Sequence, residues 1–364
     1  MRYWNASSYI KMITVPHAFT FMRIVFSHVL TCALLIAGAA AYAAETPSSS
    51  ELSLVSLGKR LFFDAQLSRD GTMSCASCHQ PAKSYSDGRE IALGIAEHRG
   101  TRNTPSLITA RRDTSLFWDG RRSSLEDLVL DPVTNPFEMG LRDEKELIAR
   151  LSAATDLTPA FSQAFPNGQP SPTSDQVRSA LAAFVRSLDV GQSLYDRYQS
   201  DPNRFPLDSK SLEGLRLFQG KAGCSECHRL EGPRATLTDG AFHHTSIGWP
   251  SIERNLPSLT RAVLAENLSG EALGRRVTTD PDWAALGRFL VTHKPTDIGA
   301  FRTPSLRNVA LTPPYMHDGS IASLADAVDV EVYYRSLTTG HPSTMTVDER
   351  KTLVAFLQAL TDLP

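Results

Sequence analysis

Cys75-Ala-Ser-Cys78-His79 is the stretch of sequence that decides the fold, and the chain carries a second copy, Cys224-Ser-Glu-Cys227-His228. Two cysteines with a histidine directly after the second form the attachment motif of a c-type haem. On one helical turn the two thiols reach the vinyl groups of the porphyrin, and the adjacent imidazole reaches the iron. The two motifs therefore predict two covalently bound haem c groups, with His79 and His228 as iron ligands.

A zinc or redox site is the alternative interpretation of the same cysteines. Two Cys-x-x-Cys pairs can hold zinc, but here the pairs start 149 residues apart, at Cys75 and Cys224, and a histidine follows each of them directly. A disulfide or a thioredoxin-like motif does not require that histidine. We therefore prefer the haem interpretation.

The first 43 residues predict an export signal. Met22 and Arg23 precede an apolar run over residues 24–40, and Ala41-Tyr42-Ala43 matches a small-residue cleavage site. Because Met22 is itself a normal start, residues 1–21 are interpreted as an over-extension. A retained membrane helix is the alternative. We expect cleavage near Ala43 and a periplasmic mature chain without stable membrane insertion.

Charge excludes one class of partner. The 364-residue chain has a formal net charge of −2, and loss of Arg2, Lys11 and Arg23 with the leader makes the mature value −2 − 3 = −5. A nucleic-acid-binding protein shows a basic stripe, so no nucleic-acid partner is expected. The mature length, about 320 residues, suits two domains of ordinary size.

A second block of sequence recurs at a fixed distance. Thr104-Pro105-Ser106-Leu107 returns as Thr303-Pro304-Ser305-Leu306, an offset of 199 residues. The same offset relates three further matches: Asp119-Gly120 with Asp318-Gly319, Ser124-Leu125 with Ser323-Leu324, and Asp127 with Asp326. A fixed offset across separate matches indicates an internal duplication. We predict a mainly α protein with long loops, made of two haem domains over residues 44–200 and 201–364.

The two halves differ in length and in one aligned residue. The haem motif lies 25 residues before the Thr-Pro-Ser-Leu turn in the first half, from His79 to Thr104, and 75 residues before it in the second, from His228 to Thr303. About 50 extra residues therefore lie within 229–301. We expect helices over 50–60, 173–198 and 347–360, with a linker over 202–206. At offset 199, Trp118 aligns with His317.

The sequence resembles the bacterial di-haem cytochrome c peroxidase and MauG family from about residue 57 to residue 360. The resemblance rests on both haem motifs together with Arg102-Asn103-Thr104-Pro105, Phe117-Trp118-Asp119-Gly120-Arg121, Asn135-Pro136-Phe137-Glu138-Met139 and Arg302-Thr303-Pro304-Ser305-Leu306-Arg307-Asn308. It implies two cytochrome c-like domains. It also implies that peroxide meets the N-terminal haem, held by His79, and that the C-terminal haem, held by His228, passes electrons.

The resemblance implies roles for further residues. Glu138 matches the distal acid that moves protons while the O–O bond breaks, and a dry pocket suits such a carboxylate by raising its pKa. Trp118 matches the tryptophan between the haems. Asn103, with the backbone carbonyls of Thr312 and Pro314, matches a calcium site. The plainer interpretations are a surface carboxylate, a packed indole and an asparagine that caps its turn.

Two positions depart from the family pattern in the first half. Peroxidases that need prior reduction carry a removable histidine ligand in the loop after the first haem motif, and the aligned residue here is Ile95. His98 could substitute if the loop shifts, although a solvent-exposed histidine is the preferred interpretation. The family's distal glutamine aligns with Leu128. A five-coordinate first haem, as in MauG, follows from Ile95.

The sixth ligand of the second haem is left with several candidates. The family uses methionine or tyrosine there, and an ungapped count from His317 reaches Glu331, whereas a two-residue slip reaches Tyr333. We predict Tyr333. The rival ligands are Tyr334, Glu331, Met345 and Met316. A phenolate would lower the haem potential, and a thioether would raise it.

The sequence therefore predicts a periplasmic di-haem c-type peroxidase that uses hydrogen peroxide and is MauG-like in lacking a distal histidine. Its electrons come from a small redox protein donor or from an oxidisable Trp or Tyr of a protein substrate. The alternatives are a reductively activated, peroxide-detoxifying cytochrome c peroxidase and a non-enzymatic di-haem electron carrier. An electron carrier gains nothing from an open iron beside Glu138, so we prefer an enzymatic function.

Overall fold

The structure is a computed structural model that describes residues 48–168, 171–339 and 344–363, with the backbone alone over 336–339. The predicted export signal lies outside these residues. Among the helices described, none combines the length and the apolar character that crossing a membrane requires.

Short helices joined by long loops make up the described chain. The α-helices are α1 (Ser49–Phe62), α2 (Cys75–Cys78), α3 (Leu125–Leu128), α4 (Asp131–Thr134), α5 (Glu144–Ala153), α6 (Thr158–Ala164), α7 (Ser174–Ser187), α8 (Leu194–Ser200), α9 (Ser209–Gln219), α10 (Trp249–Ile252), α11 (Leu256–Glu266), α12 (Gly270–Thr279), α13 (Pro281–Ala285), α14 (Phe289–Thr292), α15 (Leu324–Thr339) and α16 (Val347–Gln358). Strands β1 (Phe242–His244) and β2 (Ala300–Arg302) pair antiparallel, with His243 opposite Phe301. Seven 3₁₀ turns complete the described elements: Ala65–Leu67, Pro81–Lys83, Ile95–Glu97, Ala110–Arg112, Cys224–Glu226, Pro295–Asp297 and Val309–Leu311.

Three hydrophobic clusters lie along this order of elements. The first gathers side chains from Leu57 to Leu188, and the second gathers side chains from Tyr195 to Leu360. The third, from Ile252 to Leu290, lies within the extra residues of the second half. The insertion therefore has a hydrophobic cluster of its own. The domain boundary at residue 200 stays a prediction.

A close helix crossing occurs once in each half. In the first half α1 meets α7, and a β-carbon added at Gly58 would lie 1.8 Å from the carbonyl oxygen of Ala180. In the second half α9 meets α16, and a β-carbon at Gly214 would lie 2.0 Å from the carbonyl oxygen of Thr352. Such distances are far inside van der Waals contact. Only glycine therefore allows the two backbones to approach so closely at these points.

Matching aromatic pairs sit one turn beyond each crossing. The Phe62 and Phe184 rings lie 5.0 Å apart in the first half, and the Phe218 and Phe356 rings lie 5.1 Å apart in the second. Each phenylalanine follows its crossing residue by four positions, so it lies on the same helix face. The internal duplication thus extends to the helices that enclose each haem motif.

The loops repeat as well. Leu116 N–H donates to the Arg122 carbonyl at 2.8 Å, and Tyr315 N–H donates to the Ile321 carbonyl at 2.7 Å. Both partners in the second pair lie 199 positions after those in the first. The predicted duplication is therefore present in backbone hydrogen bonding.

The predicted helices are found with changed ends. The predicted helix 50–60 extends over Ser49–Phe62, and the predicted helix 347–360 ends at Gln358. The predicted helix 173–198 is wrong as a single element, because α7 ends at Ser187 and α8 begins only at Leu194. Leu188 has extended backbone, with φ −65° and ψ 111°. Ser193 caps α8 by accepting from the Asp196 N–H, which starts the new helix.

Replacing either crossing glycine with alanine is expected to destabilise the protein. The added methyl group must push two helices apart, so Gly58→Ala and Gly214→Ala should each lower the free energy of unfolding by about 1–3 kcal/mol. Urea denaturation followed by circular dichroism measures this. Ser56→Ala, on the exposed side of α1, is the control. A loss no larger than that of the control would contradict the close crossing.

Candidate functional site

The histidine of each motif is oriented by its own Nδ1. His79 Nδ1 lies 3.0 Å from the Tyr85 carbonyl oxygen, and His228 Nδ1 lies 3.0 Å from the Leu237 carbonyl oxygen. A carbonyl only accepts, so each Nδ1 carries the hydrogen and each Nε2 keeps its lone pair for a metal. Burial lowers the pKa of both imidazoles, which favours this neutral form. Each histidine thus keeps the Nε2 lone pair available to a metal, as the sequence motif predicts.

The repeated Thr-Pro-Ser-Leu turns hold the loops that carry these carbonyls. Ser106 Oγ donates to the Ser84 carbonyl at 2.5 Å, and Ser305 Oγ donates to the Thr236 carbonyl at 2.6 Å. Ser84 and Thr236 each directly precede the residue that accepts from the histidine. The turn therefore has the same task in both halves, which is to fix the loop that orients the imidazole.

A cavity lies directly on the first motif. Its walls, mostly apolar, bring together Cys75, Cys78 and His79 with Trp118 and Glu138. These residues come from separate parts of the sequence, and the fold places them around one space. The sequence-predicted residues of the first site therefore share a single cavity.

Two buried arginine N–H groups in the cavity wall lack hydrogen-bond partners, and they fit a group with acidic substituents. Arg102 and Arg121 line the cavity, and the Nε of each is buried without a hydrogen-bond partner. Haem carries two propionates, which can accept from guanidinium N–H groups. Together with the two thiols and the imidazole, this donor set fits haem c.

Glu138 lies on the cavity wall with a shifted pKa. Burial raises the pKa of its carboxyl above the ordinary value, while the charge of Arg121 and a hydrogen bond from Asn135 act in the opposite direction. The Glu138 carbonyl accepts from the Ile95 N–H at 2.8 Å, so the loop after the first motif is tied to it. Burial therefore makes this carboxyl easier to protonate than an exposed one.

The loop after the first motif places no imidazole in the cavity. Ile95 is 1 % exposed, and a β-carbon at Gly140 would lie 2.2 Å from its Cδ1. His98 is exposed, with its ring 5.5 Å from that of Phe137. Among the described residues that line the cavity, His79 is the only histidine, and Leu128 lies on the wall.

Trp118 lies where the two halves exchange hydrogen bonds. Its Nε1–H donates to the Asn103 carbonyl at 2.9 Å. The Asn103 N–H donates to the His317 carbonyl, and the Arg302 N–H donates to the Trp118 carbonyl, both at 2.9 Å. Position 302 is 103 plus 199, and position 317 is 118 plus 199. The halves thus exchange reciprocal bonds across a pseudo-two-fold axis.

A buried ion cluster holds the turn next to Trp118. Asp119 is fully buried and bonds Arg102 at 2.9 Å and Arg121 at 3.0 Å. Burial by itself would raise the pKa of the Asp119 carboxyl, but the two guanidiniums outweigh it and the pKa lies below the usual value. Arg288 adds hydrogen bonds to the carbonyls of Asp119 and Gly120.

The second motif is surrounded by charged side chains. Burial raises the pKa of the Cys224 thiol to about 12, and the charges of Arg335 and Glu331 act on it with opposite signs. The same two residues act on Cys227. Helix α15 therefore directs Glu331 and Arg335 toward the second motif.

The predicted sixth ligand sits elsewhere on α15. Tyr333 is 60 % exposed, and its ring lies 5.4 Å from that of Tyr334. Of the two methionines that compete with it, Met345 is buried in the second hydrophobic cluster together with Val328 and Val332 of α15, and Met316 is in a loop with φ of 74°. The ligand role of Tyr333 stays a prediction.

The calcium prediction involves Asn103 and two carbonyls. Asn103 Nδ2 donates to the Arg89 carbonyl at 2.8 Å, a bond that does not use the side-chain oxygen. Thr312 and Pro314 follow the turn at Val309–Leu311. Calcium binding at this place also stays a prediction.

The zinc interpretation is disfavoured by where the thiols lie. Cys75 packs against the first hydrophobic cluster and Cys224 against the second. The four cysteines therefore serve two separate sites.

Comparison with known proteins gives one family. A family model described as di-haem cytochrome c peroxidase matches residues 53–204. Methylamine utilization protein MauG of Methylorubrum extorquens is 35 % identical over 84 % of this chain and 77 % of its own length. Cytochrome-c peroxidase IdrP1 of Pseudomonas sp. (strain SCT) is 32 % identical over 87 % and 82 %.

A solved structure is similar to this chain as well. The crystal structure of a MauG-like protein associated with microbial copper homeostasis superimposes with a TM-score of 0.68 and 29 % identity, over 85 % of this chain and 89 % of that one. The chain belongs to the di-haem cytochrome c peroxidase and MauG family, and it is an oxidoreductase of the peroxidase class. The predicted fold class is confirmed, and membership implies two haem groups.

Sequence reasoning missed several residues of the first site. Arg121 and Asp119 stand in a quoted motif, but no role was inferred for them. Val277 and Thr278 come from the insertion in the second half and line the first cavity. The offset of 199 could have suggested the reciprocal bonds between halves, whereas nothing in the sequence connects Thr278 with the first site.

Asp119→Asn is expected to destabilise the protein strongly. The change leaves Arg102 and Arg121 buried without their counter-charge, so the free energy of unfolding at pH 7 should fall by about 3–5 kcal/mol. Because the folded pKa of Asp119 is lowered, its contribution is complete above the unfolded pKa of about 3.9 and is lost below it. The difference between variant and wild type should therefore shrink in acid.

Asp318→Asn, at the corresponding position of the second half, is the matched control for this prediction. Asp318 accepts from the Ser320 N–H at 3.1 Å, a bond that asparagine can keep. Urea denaturation at several pH values measures all three proteins. Equal losses for the two variants would contradict the buried cluster.

Proposed function

We propose that this chain is a periplasmic di-haem c-type peroxidase that uses hydrogen peroxide at the N-terminal haem and passes electrons through the C-terminal haem. The observation that carries the proposal is the single cavity shared by the first motif, Glu138 and Trp118. Covalent attachment would use Cys75 and Cys78 in the first half and, in the second, the motif Cys224-Ser-Glu-Cys227. Haem c would supply an iron that binds peroxide at one site and stores electrons at the other.

Glu138 is the acid–base group in this proposal. Its carboxylate takes a proton from one oxygen of hydrogen peroxide. It returns a proton to the other oxygen, which leaves when the O–O bond breaks. Burial raises the pKa of this carboxyl, which suits a group that both accepts and returns a proton. Leu128 in the wall offers no hydrogen bond, so Glu138 works with the polar groups of Asn135 and Arg121.

Trp118 is the proposed relay between the sites. Its indole is held by the Asn103 carbonyl, and its own carbonyl is held by Arg302 from the second half. The indole is thus fixed beside the backbone bonds that join the two halves, which places it to pass electrons between them.

The first site is proposed to be ready for peroxide without prior reduction. Ile95 is buried where the family's removable histidine would align, and His98 points its exposed ring toward Phe137. This arrangement favours the MauG-like form, in which electrons come from an oxidisable Trp or Tyr of a protein substrate. The alternative donor is a small redox protein, such as a cytochrome c or a cupredoxin.

The second site and the calcium site complete the proposal. Tyr333 is the sixth ligand predicted from the sequence, and Glu331 is the alternative whose charge acts on both thiols of the second motif. Calcium would bind Asn103 with the carbonyls of Thr312 and Pro314. Asn103 suits that position because its N–H already joins it to His317 of the second half.

Glu138→Gln tests the proposed chemistry. Glutamine keeps the shape of the side chain but cannot exchange a proton, so the rate of reaction with hydrogen peroxide should fall by about 10²–10⁴-fold. Both haems should stay bound. Stopped-flow absorption of the holoprotein measures the rate, and mass spectrometry counts the haems.

Glu97→Gln is the control, since Glu97 is exposed and lies outside the cavity wall. In the wild type the rate should decline as pH falls through the raised pKa of Glu138, and this acid limb should be absent in Glu138→Gln. An unchanged rate in Glu138→Gln would remove the residue from the mechanism.

A further inference from the structure

The loop that carries Glu138 is joined to the second half by a chain of hydrogen bonds. Asn135 Nδ2 donates to Thr278 Oγ at 2.9 Å, and the Thr278 hydroxyl donates to the Gly274 carbonyl at 2.9 Å. Asn135 is in the first half, whereas Thr278 and Gly274 belong to helix α12 of the insertion. The bond thus joins two positions 143 residues apart in the chain.

The orientation of the Asn135 amide is determined by its neighbours. Its Oδ1 accepts from the Phe137 N–H at 3.1 Å, so that oxygen cannot exchange places with the NH₂ group. One N–H of the NH₂ group goes to Thr278, the Asn135 backbone carbonyl accepts from the Glu138 N–H at 3.1 Å, and the Asn135 side chain favours the charged form of the Glu138 carboxyl. Asn135 is only 5 % exposed. The amide is therefore fixed at Oδ1 by Phe137 and at Nδ2 by Thr278.

Helix α12 forms part of the wall of the first cavity. Val277 and Thr278 line it beside Glu138. Thr101 Oγ, in the first half, donates to the Val277 carbonyl at 2.6 Å and fastens the helix there. The insertion thus contributes side chains directly to the site of the other half.

We propose that Asn135 and Thr278 are positioning residues for Glu138, so that helix α12, which the second half supplies, holds the distal carboxylate of the first haem site in place. Thr278 accepts one N–H of the Asn135 side chain, and the Asn135 backbone carbonyl in turn holds the Glu138 N–H. The inference rests on the proposed function, because it concerns the acid–base group of that proposal. It adds a dependence of the first site on an insertion that belongs to the second half.

Other charged groups also face Glu138. Arg121 favours the ionised carboxylate, and Asp131 opposes it. Cys78 also interacts with Glu138, but a thioether at this position would not titrate. These groups are unchanged when Thr278 is replaced, so a shift on replacement reports the Asn135–Thr278 link.

Thr278→Val in the holoprotein is the test. Without the hydroxyl, the Asn135 amide loses the partner that fixes it, and the carboxylate loses a fixed donor to its charged form. Titration of Glu138 should move upward by about 0.5–1 pH unit, the scale expected for loss of one hydrogen bond. Two readouts apply: the acid limb of the peroxide reaction, and the infrared carboxyl band that Glu138→Gln removes.

Two variants control the test. Thr278→Ser keeps the hydroxyl and should titrate as the wild type. Thr279→Val makes the same change at the next residue, which is exposed and donates to the Arg275 carbonyl instead, and it should also titrate as the wild type. Thr278→Ala removes the hydroxyl without adding a methyl group, and it gives the same comparison if the valine variant loads haem poorly.

A shift in Thr278→Val alone supports the proposal. No shift relative to Thr279→Val, or an equal shift in Thr278→Ser, overturns it. The infrared band separates this result from the proposed function. If Glu138→Gln reacts with peroxide at the wild-type rate, the proposed function fails, whereas the position of the carboxyl band in Thr278→Val still decides whether α12 positions Glu138.

Discussion

The hydrogen bond from Nδ1 of each motif histidine to a backbone carbonyl is the interaction on which the site depends. It fixes the tautomer and the direction of the ring, so that Nε2 of His79 or His228 is the nitrogen left for iron. The carbonyl belongs to a residue with positive φ, 59° at Tyr85 and 56° at Leu237. Neither residue is a glycine, so the surrounding turn must hold this backbone, and the Thr-Pro-Ser-Leu serines bind the preceding carbonyls.

The two halves carry different side chains at the matched positions where they meet. Backbone bonds between halves are reciprocal, with Asn103 bound to His317 and Arg302 bound to Trp118. The side chains at these positions differ. The Trp118 indole bonds Asn103 of its own half, whereas the His317 ring stacks on Phe301 at 3.6 Å and is buried, which lowers its pKa to about 4. A symmetric frame therefore carries an indole at one inter-half position and a neutral imidazole at the other.

The insertion is the second departure from symmetry. It has its own hydrophobic cluster, yet its polar groups are directed at the first half. Arg102 donates to the Ala284 carbonyl, and Thr101 donates to the Val277 carbonyl. The extra residues of the second half thus complete the wall of the first cavity, and the two halves do not work as independent modules.

Much of this arrangement is predictable from local sequence, and the part that is not has a physical reason. The haem motifs and the repeated turns are short segments whose chemistry requires fixed spacing, so Cys75, His79 and Ser106 could be identified from their neighbours. The break between α7 and α8 depends on the Ser193 cap and on packing, and periodicity alone joined the two helices. Thr278 was missed because its partner Asn135 is 143 residues away. Such long-range pairs have no local signal.

We expect the two duplicated sites to hold irons of unlike character, one open to peroxide and the other capped. An electron paramagnetic resonance spectrum of the fully oxidised holoprotein distinguishes the two irons. One high-spin and one low-spin ferric signal of equal spin count are expected. Two low-spin signals, or a single haem per chain, would exclude this arrangement.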